Sequence, residues 1–233
     1  MIHNKKEFNG GLALLVVFFI VLFAMFQPLF DGHNAMAYLD NLYNSISKGS
    51  AYYVDNLKEE AKGVAGYQVN VTMKMKSESQ AADSVALITA AGATAEAKGK
   101  ELTISGDYQA ILNACLEDSD KMYHNDGAAL IAKYPVFAGK DERQALYNWN
   151  VILDGFDKGL KEQEAFAQAK VAFNINSKVV ETAYNYYKVV PEQIKDKVGI
   201  VIFSLAFYVI YTMWYGFGIL FVFEGWGLKI SGH

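Results

Sequence analysis

The sequence predicts a membrane-anchored α+β protein. Two transmembrane helices flank an extracytoplasmic domain, in which paired stalk helices carry a small βαββα sheet unit. Three observations lead there. Val198 to Phe223 runs for 26 residues without a charged side chain. Gly10 to Phe30 does so for 21. Between these runs the apolar period changes from helical to two and back again. At 1.5 Å of rise per residue, either run is long enough as a helix to cross ~30 Å of hydrocarbon, where a helix satisfies its own backbone groups. The expected division is a cytoplasmic tail over 1–9, a first span over 10–30 and a membrane-proximal stalk helix over 31–65. An α/β domain over 66–160, a returning stalk helix over 161–197, a second span over 198–223 and a second cytoplasmic tail over 224–233 follow.

The N-terminus carries Lys5 and Lys6 ahead of the first apolar run, a pattern that signal peptides and signal anchors share. Ala35-Met36-Ala37 has the small-x-small form of a cleavage site, but 21 uncharged residues exceed the ~7–15 of a signal-peptide core. The length argument favours a retained span. Orientation is read from flanking positive charge. Lys5 and Lys6 place the N-terminus in the cytoplasm, whereas Lys188, Lys195 and Lys197 before the second span, against Lys229 after it, point the other way. Because the first helix usually dominates, both termini are expected in the cytoplasm and the central domain in the periplasm of a two-pass inner-membrane protein.

Met36, Leu39, Leu42, Tyr43 and Ile46 recur at steps of three and four, an amphipathic helix that Gly49 and Ser50 would interrupt before Tyr53 and Leu57. Phe166, Ala169, Ala172 and Phe173 begin a similar pattern that reaches Val179, Val180, Ala183, Tyr184 and Tyr187, and Pro191 stops it. These are expected to pair as stalks.

In the middle, Tyr67 to Met75 alternates Tyr67, Val69, Val71, Met73 and Met75 with polar residues, a half-buried strand. A helix closed by Gly92 follows. Two strands, Thr94 to Lys98 and Glu101 to Ser105, flank a Gly99-Lys100 hairpin turn. Asp107 caps the next helix. A further helix beginning near Asp141 aligns Leu146, Trp149, Ile152, Leu153 and Phe156, with Gly155 and Gly159 expected to loosen its end. Trp149 is read as the anchor between that helix and the sheet, with ligand stacking as the alternative.

Chemistry is sparse. Between Asp31 and Lys197 there are 18 Lys and Arg against 23 Asp and Glu, interspersed, which is no nucleic-acid footprint. Cys115 is the single cysteine, so no intrachain disulfide can form. Asp120 and His124, four apart on one helix face with Glu117 a turn earlier, are the metal candidates, although a solvated helix end explains them as well. No nucleophile elbow, phosphate loop or dinucleotide fingerprint occurs, so neither catalysis nor a cofactor is expected.

On the second span, Ser204, Tyr208, Tyr211, Tyr215, Gly218, Val222 and Gly225 step by four and three. Lipid does not require such a seam of hydroxyls and small residues, so it should meet another helix or a bound lipid or quinone-like molecule. The first span offers it almost no polar side chain. The expected function is a non-enzymatic accessory or assembly subunit of a bacterial cell-envelope complex, in contact with the bilayer and with an integral-membrane partner or a second copy of itself. The alternative is an extracytoplasmic small-molecule-binding or sensor module that signals through a partner chain.

Overall fold

The computed structural model describes residues 2–30 and 32–228. Met1, Asp31 and residues 229–233, the latter half of the expected C-terminal tail, lie outside the described residues. In chain order the elements are α1 Lys5–Met25, α2 Ala35–Ser50, α3 Val54–Lys62, β1 Gln68–Lys74, α4 Glu78–Ala90, β2 Thr94–Lys98, β3 Glu101–Asp107 and α5 Tyr108–Tyr123. They continue with α6 Gly127–Lys133, α7 Gln144–Glu162, α8 Phe166–Ile175, a π-helical turn Asn176–Val180, α9 Glu181–Asn185 and α10 Ile194–Trp226. The chain is a mixed α+β protein that forms two compact units, Ser47–Pro191 and a second made from Met1–Ile46 with Glu192–His233.

In the second of these units, α1 and α10 are both long and apolar enough to cross a membrane. α1 lies five residues earlier than the uncharged run. It starts at Lys5 because the Asn4 side chain accepts from the amides of Lys6 and Glu7, and it ends at Met25, shortly before Pro28 forbids helix. α10 ends at Gly227, whose φ of +95° is the left-handed C-terminal cap that glycine adopts freely.

The two helices pair antiparallel in steps of seven. The Asn4 amide donates to the Gly225 carbonyl at 2.9 Å. Seven residues on, Gly11 lies against Gly218, so closely that a Cβ there would come within 2.6 Å of the Val222 nitrogen. A further seven on, Phe18 stacks on Tyr211 with ring centroids 4.4 Å apart. Small residues on one helix thus admit the other's backbone or its large side chains, as at Gly225 under Phe8 and Gly218 under Leu15.

The unit Ser47–Pro191 is built on a three-stranded antiparallel sheet of order β1-β3-β2. Val71 pairs with Ile104 and Met73 with Leu102, so one face buries Val69, Val71, Met73, Leu102 and Ile104. The other face turns Gln68, Asn70, Thr72, Lys74, Glu96 and Lys98 to solvent. The βαββα order, the left-handed Gly92 and Gly99, and the Asp107 cap, which accepts from the Ala110 amide at 2.8 Å, all follow the sequence pattern.

Three expectations need correction. Gly155 and Gly159 do not loosen α7, which continues to Glu162. They are contact points, where a Cβ at 155 would strike Met73 and one at 159 would come within 2.5 Å of Val71 Cγ1. The returning segment from Phe166 is not a stalk either. Ala169, Ala172, Ile175, Val180 and Ala183 are fully buried, and α8 packs chiefly on α7, with α3 and α5 as further neighbours. Its apolar face is too broad for a two-helix stalk to cover, so it joins the core. Finally, α2 runs through Gly49 and Ser50 and the chain breaks only at Ala51–Tyr53.

Candidate functional site

The metal candidates sit at the end of α5. His124 Nδ1 lies 3.3 Å from Asp120 Oδ1 and 2.9 Å from the Asp120 carbonyl. The same carboxylate oxygen accepts from the Tyr52 hydroxyl at 2.9 Å. Burial, and then the hydrogen bond to Asp120 and its charge, push the Tyr52 phenol up to about 12. Rings of Tyr52, Tyr123 and His124 pack with centroids 5.0 to 5.9 Å apart. Glu117 is exposed and does not join them. Among the described residues no group of three His, Cys, Asp or Glu side chains converges as a metal site would require.

The carboxylate that matters structurally is Asp118, two residues earlier and fully buried. It accepts from Lys133 Nζ at 2.7 Å, the Tyr134 hydroxyl at 2.7 Å and Trp149 Nε1 at 2.9 Å. This one side chain ties α5 to the end of α6 and to α7, with every donor aimed at a charge. Trp149 is fully buried, so its ring is a wall of the core with no face open for stacking. Tyr134 is pushed far up by burial and by the Asp118 charge, and the Cys115 thiol is raised by burial first and then by Asp118. Asp118 was legible in principle, because Ile111, Cys115, Asp118 and Met122 step by four, three and four. An acid on an apolar face is a buried polar anchor until shown otherwise.

A second buried charge links the two ends of the Ser47–Pro191 unit. Lys48 is fully buried. Its Nζ donates to Asn125 Oδ1 at 2.9 Å and to the Val189 carbonyl at 2.7 Å, and it lies 5.1 Å from the Tyr123 ring centre. The Tyr123 hydroxyl donates to the Lys48 carbonyl at 2.6 Å. Asn125 completes the ring of contacts, with Nδ2 donating to Val189 O at 3.0 Å and Oδ1 accepting from the Lys188 amide at 2.8 Å. Both Asn125 and Lys188 hold left-handed backbone, at φ of 64° and 67°. Among the described residues no carboxylate forms an ion pair with the ammonium, and desolvation lowers its pKa to about 8. Its partners come from residues 125 and 189, so no local pattern announced it.

The seam on α10 is divided. Ser204, Tyr211, Gly218 and Gly225 turn inward. The Ser204 hydroxyl pairs with Tyr43 at 2.6 Å and with the Val201 carbonyl at 2.8 Å. Although α1 carries no polar side chain from Gly10 to Met25, Trp214 Nε1 donates to the Leu14 carbonyl at 3.1 Å. Tyr208 faces outward with 68% of its surface exposed, and Tyr215 is exposed at 43% while its ring still meets Phe18. Tyr208, Thr212 and Gly216, each four residues from the next, are all exposed. The Thr212 hydroxyl is bonded back to the Tyr208 carbonyl at 2.8 Å, and a Cβ on Gly216 would meet nothing within 4 Å. Among the described residues the Tyr208 hydroxyl has no hydrogen-bond partner. Compared with protein-family models, with curated proteins and with solved structures, the chain matches none.

Proposed function

We propose that the protein is a non-enzymatic accessory or assembly subunit of a bacterial cell-envelope complex, anchored in the inner membrane by α1 and α10. Both termini are cytoplasmic and the Ser47–Pro191 unit is periplasmic in this reading. The observation that carries it is the exposed strip Tyr208, Thr212 and Gly216. In hydrocarbon an unpartnered phenol is unfavourable, and a glycine one turn from a threonine lets a neighbouring backbone approach. The opposite face of α10 is already taken by α1, so the strip is free for a helix of another membrane protein or of a second copy.

Co-purification in mild detergent, with Gly216→Leu and Tyr208→Phe beside the unaltered chain, tests this. A partner or second copy should accompany the unaltered chain at fixed ratio and be lost from Gly216→Leu. A lone monomer, or a partner indifferent to both substitutions, would overturn the docking role. A sensor function is the second reading, favoured by a groove of about 460 Å³ lined by Lys140, Asp141, Glu142, Arg143, Tyr187 and Lys188. Internal pairs from Arg143 to Asp141 and from Tyr187 and Lys188 to Glu142 already engage its charges. Small anions and amines that leave the thermal midpoint unmoved would remove it.

A further inference from the structure

We infer that one acyl chain of a membrane phospholipid occupies an apolar cavity where α1 ends beside α10, an inference that rests on the membrane-spanning reading. The cavity arises from unequal helix lengths. α1 stops at Met25, in register with Ser204, while α10 extends a further ten residues back to Ile194. Over that overhang the neighbours of α10 are Phe30 and the first turns of α2, and they do not fill the space that α1 vacates. About 210 Å³ remains, walled chiefly by Met25, Phe30, Tyr38, Leu39, Phe203 and Phe207.

The wall chemistry selects the occupant. Ser204 is a polar residue in the wall, and its hydroxyl is engaged by Tyr43 and the Val201 carbonyl. Water needs two to four polar partners to be held, and this void exceeds the ~150 Å³ of apolar cavities that stay dry and take up benzene. The mouth is also placed for lipid. Phe203 lines the cavity yet is 65% exposed, and it continues into the exposed Ile202 and Leu205. A ligand therefore enters sideways from whatever bathes α10, which in a bilayer is hydrocarbon. A flexible linear chain satisfies a half-open apolar cleft without leaving a polar atom inside.

The full chain is reconstituted in phosphatidylethanolamine–phosphatidylglycerol vesicles containing a little phosphatidylcholine with a diazirine on its acyl chain, illuminated, and mapped by peptide mass spectrometry. Adducts are expected at Tyr38 or Leu39, and at the exposed Val209, which serves as the bilayer reference. Ala35→Phe, which fills the cavity, should lower the Tyr38 and Leu39 adducts by about fivefold or more and leave Val209 unchanged. Leu39→Gln, which makes the wall polar, should lower the Tyr38 adduct similarly if the first variant fails to fold. Adducts at Val209 without any at Tyr38 and Leu39, or cavity adducts unaffected by either variant, would overturn the acyl-chain site. Absence of adducts at Val209 as well would overturn the membrane-spanning reading itself and this inference with it.

Discussion

Replacing Lys48 by methionine should stabilise the Ser47–Pro191 unit at neutral pH, although it deletes two hydrogen bonds. Burial lowers the ammonium pKa from 10.5 to about 8. At ~1.4 kcal/mol per unit, holding the charged form inside at pH 7 costs about 3 kcal/mol relative to solvent. Methionine is unbranched, uncharged and one atom shorter, ending where the lysine Cε lies. Each acceptor that Lys48 leaves retains a donor, Val189 O from Asn125 Nδ2 and Asn125 Oδ1 from the Lys188 amide. Allowing about 1 kcal/mol for each bond lost, the net gain is about 1 to 2 kcal/mol. Pulse proteolysis of the full chain in urea and mild detergent would read it. The pH dependence gives a second, independent check. Between pH 8 and 10 the unfolded lysine binds a proton that the folded one has released, so Lys48 contributes a rise in stability of about 2 kcal/mol over that window, read as the difference between the two proteins because the raised Cys115 thiol acts oppositely in both. Lys48→Met should lack the rise. Above pH 10 the raised phenols of Tyr52 and Tyr187 act oppositely, because the folded state then holds the extra protons. A methionine variant weaker than the parent by more than about 2 kcal/mol, or one with an unchanged pH slope, would refute the account of Lys48 as an uncompensated charge.

Asp118→Ala should cost about 3 to 5 kcal/mol in the same assay, since it strands the Tyr134 hydroxyl, the Trp149 indole and the Lys133 ammonium together; a loss under 1 kcal/mol would contradict its place as a hub. Gly159→Ala is expected to destabilise by about 1 to 3 kcal/mol through its collision with Val71, despite the higher helix propensity of alanine, and a stabilised variant would show that α7 and β1 can separate freely. Cys115, buried with its thiol raised, should resist thiol reagents in the folded chain and react in step with urea unfolding; prompt native labelling would place it at the surface.

The sheet unit was readable because its signals are local. Alternation in β1, a two-residue turn at Gly99-Lys100 and a cap at Asp107 each lie within a few residues of what they determine. The role of Gly155 and Gly159 was not readable, because a glycine that loosens a helix and one that admits a strand look alike until the strand is known. The stalk reading of the segment from Phe166 fails for a related reason, since a helical apolar pattern reports a buried face without naming what buries it. At the candidate site, spacing drew attention to Asp120 and His124, which the structure leaves at the surface, and away from Asp118 on the apolar side of the same helix. The α10 seam was legible as a stripe, but its division into a face for α1 and an outer strip depended on the register of two helices nearly two hundred residues apart.

The outer strand β2 bears on how this protein avoids sticking to copies of itself. It is five residues long, ends its sheet with no further strand paired to it among the described residues, and carries Glu96 and Lys98 on the solvent face. A short edge with alternating charge is a poor template for another chain's backbone, since a docking strand would gain few ladder bonds and set its side chains beside both signs of charge. A chain held at high local density with a longer, apolar edge would risk edge-to-edge aggregation. Glu96→Val with Lys98→Val should therefore leave the folded state intact and lower the concentration at which the protein precipitates.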